Sequence, residues 1–93
     1  MRKKYELTGE TLDVAGTTLR RIRALRAIPS MGVALGDVGG WAETEKNLDH
    51  EGSAWVYGEA RVSGGARVYG DARVYGEAQV YGDARVYGGY VYG

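Results

Sequence analysis

Cysteine is absent from this 93-residue chain, so no disulfide staples it and no thiolate is available to a metal. A reducing compartment suits such a chain, and the expected location is the cytoplasm. Histidine is almost absent as well: His50 stands alone, which leaves little material for an imidazole metal site or an acid–base pair. No apolar run approaches the roughly 20 residues of a membrane-spanning helix. The opening Met1-Arg-Lys-Lys has the charges of a signal peptide, but the apolar stretch that should follow is missing. Net charge is absent too, twelve basic residues cancelling twelve acidic ones.

The cancellation hides an asymmetry. Residues 1–28 hold seven basic side chains (Arg2, Lys3, Lys4, Arg20, Arg21, Arg23, Arg26) against three acidic ones (Glu6, Glu10, Asp13), and the rest of the chain carries the compensating negative surplus. Such a balance suits a nucleic-acid face built on Arg20, Arg21, Arg23 and Arg26, or an ordinary solvated strand face. A chain this short makes one domain and buries only roughly 60–65% of its unfolded surface, so oligomerisation is expected.

What is abundant is glycine, tyrosine and a period of six. From Ala54 to Gly89 one phrase recurs six times: AWVYGE, ARVSGG, ARVYGD, ARVYGE, AQVYGD, ARVYGG. A fixed short period implies a coiled architecture in which each unit buries its apolar side by stacking on neighbours. Within each hexad Ala and Val lie two apart and point inward, the residue between them and the following Tyr point outward, and glycine takes the corner. Three sides close one triangular turn of eighteen residues. The expected stacks are Val38/Val56/Val74, Val62/Val80 and Val68/Val86, in an all-β helix of about three coils, roughly 15 Å tall.

The organisation read from the chain is therefore an N-terminal β-hairpin cap (1–29), an irregular first coil (30–53) and regular hexads (54–93). In the cap, Lys4-Tyr-Glu-Leu-Thr is β-prone, Gly9-Glu10 offers a turn, and Ala15-Gly16 a second. Thr17 to Ile28 reads as a strand closed by Pro29. The alternative is a helix that puts Leu19, Ile22 and Leu25 on one stripe with Arg26. In the first coil Thr44 and His50 fall where later hexads have valine, and Trp41 and Leu48 are the expected plugs of that end of the core.

The repeated small-x-Val-x-Gly-x phrase resembles the bacterial hexapeptide-repeat proteins, which form left-handed parallel β-helices. Gly39-Gly-Trp, then Asn47-Leu, then Gly52-Ser-Ala-Trp-Val-Tyr-Gly resembles the opening coil of a subgroup of small phage and prophage proteins with an N-terminal β-hairpin. The wider family includes acyltransferases that use a histidine and hold coenzyme A between subunits. This chain departs from them: His50 sits in the irregular coil, and no loop interrupts the regular hexads to build an acceptor pocket. His50 is read as a structural or surface histidine, and no catalytic residue, cofactor or metal is assigned. The corner carboxylates Glu59, Asp71, Glu77 and Asp83 are spaced around the helix rather than converging. Glu59 stacks over Glu77, a mild repulsion.

The outward positions are the candidate interaction surface: Tyr57, Tyr69, Tyr75, Tyr81 and Tyr87 with Arg67, Arg73 and Arg85. Tyrosine and arginine are enriched where binding energy concentrates. Trp55 over Arg73 suggests a cation–π pair. The last phrase shortens to Gly89-Tyr-Val-Tyr-Gly, and an uncovered coil end exposes strand backbone. Tyr90, Val91 and Tyr92 are thus the expected contacts of a homo-oligomer, a homodimer in the first instance. The leading functional expectation is a non-enzymatic phage-type module that binds a protein partner, with inhibition of a host defence complex as one version. The alternatives are an acyltransferase-like enzyme, a nucleic-acid-binding protein, and a structural tail or filament component.

Overall fold

Alternating inward and outward side chains, cut by a glycine every six residues, produce an all-β chain here. The computed structural model describes residues 3–93; Met1 and Arg2, counted in the N-terminal charge surplus, lie outside the described residues. The strands are β1 (Tyr5–Val14), β2 (Thr17–Ala24), β3 (Val38–Ala42), β4 (Trp55–Val56), β5 (Arg61–Val62), β6 (Arg67–Tyr69), β7 (Arg73–Tyr75), β8 (Gln79–Val80), β9 (Arg85–Tyr87) and β10 (Tyr90–Tyr92). From β4 onward the chain visits three sheets in turn and returns to the same one at every third strand. The sheets run β1-β2-β3-β5-β8, β10-β7-β4 and β6-β9. Pairing between coils is parallel.

Three columns of inward residues form the core: Ala42, Val62 and Val80; Leu48, Val68 and Val86; Val56, Val74 and Val91. Ala54 through Ala78 and Val56 through Val80 are all buried at the hexad positions. The corners need left-handed backbone, as at Gly70 with φ +70°, which only glycine adopts at no steric cost. At Gly40 the demand is different. A Cβ there would lie 2.5 Å from the Ala60 carbonyl oxygen and 2.7 Å from Val56 Cγ1, so this residue lets the first coil settle on the second.

Stepping back by eighteen fails in the first coil. Val38 does not join the Val56/Val74 stack; it pairs with Arg23 and is 58% exposed. The register instead joins Ala42 to Val62 and Leu48 to Val68, twenty residues apart, so Ala42 and Leu48 hold the valine positions rather than Thr44 and His50. The two additional residues sit in the corner Asp49–Ser53. Leu48 is buried within the core cluster, whereas Trp41 occupies the outward register of Arg61 and is buried from outside.

The cap is an antiparallel pair, β1 with β2, joined at Ala15-Gly16, where both residues have positive φ. Gly9-Glu10 is no turn: it lies inside β1, where the register shifts between Leu7 and Thr11. The segment Thr17–Ala24 is a strand, and its Leu19, Ile22 and Ala24 are buried, which leaves no helical stripe with Arg26. Strand β2 then pairs antiparallel with β3 and docks the cap on the first coil.

Candidate functional site

The widened corner Asp49–Ser53 is held by the first described residues of the chain. Lys4 is fully buried, and its Nζ donates to the Ala54 carbonyl at 2.6 Å. Burial lowers its pKa to about 8, the nearby Arg26 charge adding to the effect and Asp49 opposing it. Tyr5 stacks on His50 at 4.3 Å and donates from its hydroxyl to Leu48 O at 2.6 Å. Burial, and secondarily Glu45 and Asp49, push the Tyr5 phenol well above its ordinary range.

His50 is fully occupied by this clasp. Its Nδ1 accepts from the Lys4 backbone N–H at 3.1 Å, so in the neutral ring Nε2 carries the proton and donates to Glu45 Oε1 at 2.9 Å. Neither nitrogen is free to take a proton from a substrate in this geometry. The His50 hydrogen bond is the main reason that the Glu45 carboxyl sits below its usual range, with Lys3 adding to it. Among the described residues no group of three or more His, Asp or Glu side chains is placed to hold a metal ion. Glu59 is engaged by Trp41 Nε1 at 3.2 Å and by Arg21, and those contacts keep its carboxyl low.

Asn47 was not singled out as a site residue and is as deeply engaged. Its Nδ2 donates to Gly64 O and Ala66 O, at 3.1 and 2.8 Å, and its Oδ1 accepts from the backbone of Glu43 and Thr44. It rivets the first coil to the second. The signal available beforehand was the Asn47-Leu48 pair of the opening coil.

The four N-terminal arginines are dispersed. Arg21 lies over Trp41, 4.1 Å from the ring centroid, and donates to Gly39 O and Gly58 O. Arg23 pairs with Glu6, and Arg26 reaches the His50 carbonyl at 3.4 Å. Arg20 is exposed.

The outward tyrosines divide into two groups. Tyr57, Tyr69 and Tyr75 are half-buried, each against a tyrosine of a neighbouring coil: Tyr57 with Tyr75 at 6.1 Å, Tyr69 with Tyr87 at 4.9 Å, Tyr75 with Tyr92 at 5.1 Å. Tyr81, Tyr87, Tyr90 and Tyr92 are exposed. Arg67 is tied to Asp49 at 3.2 Å, and Arg85 is exposed. Arg73 shares register with Trp55 but makes no cation–π pair with it. Trp55 is buried edge-on to Tyr5, and Arg73 lies over Tyr90 at 5.1 Å.

The two ends of the core differ. At the cap end Tyr5, Ile22, Ala24, Ile28, Met31 and Val33 cover it. At the other end Ala84 is exposed, Val86 and Val91 are half-buried, and β8, β9 and β10 are each the outermost strand of their sheet. Tyr69, Val68 and their neighbours bond onward to this last coil, as Arg67 N does to Ala84 O, and the equivalent edge of the last coil faces outward.

A family model described as YdcK Beta solenoid repeat matches residues 66–77 and 78–93. The hexads are thus similar to a β-solenoid repeat, in accord with the parallel all-β architecture. A comparison with curated proteins finds no match.

Proposed function

We propose that the chain is a non-enzymatic, phage- or prophage-type binding module that acts as a homodimer and presents a rigid β-helix face to a protein partner. The observation that carries this reading is the open, tyrosine-rich last coil. From Ala78 to Gly93 its side chains include one acid and one base, Asp83 and Arg85, whose charges cancel. Cancelling side-chain charges keep like-charge repulsion low when two copies of the same surface meet in a self-complementary contact. The cap covers the opposite end, so head-to-tail growth into a filament is disfavoured and a closed pair is favoured. Tyr90, Val91 and Tyr92 lie on that end, and Tyr81, Tyr87 and Arg85 extend from it to the outer surface.

The hexapeptide resemblance supports a left-handed helix of triangular section, and the cycling of strands through three sheets agrees with it. The opening-coil resemblance supports the phage-type setting, in which the module works in the host cytoplasm and inhibits a host defence complex. Acyl transfer is the weaker reading because both nitrogens of His50 are engaged. Nucleic-acid binding is weaker because Arg21, Arg23 and Arg26 are all already engaged, Arg23 by Glu6 within the cap and Arg21 and Arg26 by the coils the cap docks on. Immobilised protein exposed to bacterial lysate should retain a specific macromolecule that the double variant Tyr87→Ala, Arg85→Ala releases. Failure to recover any specific macromolecule under several conditions contradicts the proposal.

A further inference from the structure

Beside the outer surface just described lies an open, shallow cleft of about 370 Å³, lined by Met31, Tyr57, Arg73, Tyr75 and Tyr90. That volume falls in the range of small-ligand sites. Its walls are built from two distant parts of the chain. Met31 belongs to the capping segment, while Tyr57, Tyr75 and Tyr90 come from or beside β4, β7 and β10 of one sheet. The rings meet edge to face, Tyr57 with Tyr75 at 84° and Tyr75 with Tyr90 at 72°, so both π-faces and ring edges line the walls. Such surfaces accept a flat aromatic group by offset or edge-to-face stacking.

The cleft also contains a cation without a counter-charge. Arg21, Arg23 and Arg67 each have a carboxylate within 4 Å, and Arg73 has none among the described residues. Its guanidinium spends one donor on Ser30 O at 3.0 Å and lies over Tyr90, leaving other N–H groups of its five unused. Tyr57 is fixed by donating to Met31 O at 2.8 Å, which holds the capping segment against the sheet and the cleft in shape. A half-buried guanidinium in an aromatic setting favours a planar anion that stacks and accepts a bidentate pair of hydrogen bonds.

We infer that this cleft is a binding site for a small planar aromatic carboxylate, its ring among Tyr57, Tyr75 and Tyr90 and its carboxylate on Arg73. The site shares Tyr90 with the proposed dimer contact but draws Arg73, Tyr57 and Tyr75 from beside it, so loss of binding in a chain whose solution mass is unchanged leaves the oligomeric reading standing. The test is a titration of the full chain with 2-naphthoate followed by NMR, with the neutral 2-naphthylmethanol as comparison. Saturable shifts at Tyr57, Tyr75 and Tyr90, with affinity about tenfold above that of the alcohol, are expected from a charge-assisted hydrogen bond. Arg73→Gln should remove that preference while leaving stacking of the alcohol. No saturable shift, equal affinity for acid and alcohol, or an unchanged preference in Arg73→Gln each overturns the inference. Should Arg73→Gln fail to fold, Tyr90→Ala at the exposed edge decides: naphthoate affinity unchanged by loss of that wall also overturns it.

Discussion

Lys4 places an amine in the core with one carbonyl for company, and the consequence is a pH dependence with a definite sign. Its folded-state pKa, about 8, lies below the unfolded value of 10.5, so the unfolded chain binds more protons between the two. Stability is therefore lowest below pH 8 and rises toward pH 10.5, by up to about 3 kcal/mol. Tyr5 acts in the opposite sense. Its raised pKa means that the unfolded chain ionises first, and stability falls as pH climbs past about 10. Denaturant midpoints measured from pH 7.5 to 11 should rise, pass a maximum near pH 10 and fall, and Lys4→Met should abolish the rise while keeping the fall. A flat profile in the parent chain would show that Lys4 is solvated.

The elements were legible in proportion to how local their causes are. Hexad by hexad, Ala-x-Val and a corner glycine announce which side chains go in, which go out and where the backbone turns, since period two and positive φ are properties of a few adjacent residues. The first coil was not legible in that way. Its corner at Asp49–Ser53 is two residues longer because it accommodates Lys4 and Tyr5, which arrive from more than forty residues away. No periodicity encodes that arrangement, so the repeat points Val38 inward and sets Trp55 against Arg73, whereas the fold exposes Val38 and gives Trp55 to Tyr5. The tyrosines were readable as outward but not as packed or free, because that depends on which coil lies beneath each.

The close seating of β3 on the following coil gives a test at this scale. In Gly40→Ala the added methyl meets a backbone carbonyl, which cannot rotate away, and the first coil must lift from the second. The expected loss is roughly 2–4 kcal/mol by chemical denaturation. Full retention of stability would mean that the two coils sit farther apart than this register places them.

At the scale of the whole molecule the two ends of the described coil are unequal. One end of a small alanine and valine core is closed by the antiparallel strand pair and its flanking residues, with Lys4 and Tyr5 buried in the task and Arg21 laid over Trp41. The other presents Ala84, Val86 and Val91 with exposed tyrosines around them. A row of open strand edges is a template for pairing with another chain, and the proposed closed dimer uses it, the opposite end being capped. Of the observations that bear on this, the solution mass is the most direct. Sedimentation equilibrium of the parent chain at tens of micromolar should give twice the 10.1 kDa chain mass, with Ala84→Asp returning it to one, since a charge on the open end would be buried unpaired in the pair. A strict monomer at that concentration, or a dimer untouched by Ala84→Asp, would contradict the claim that the open end is the contact.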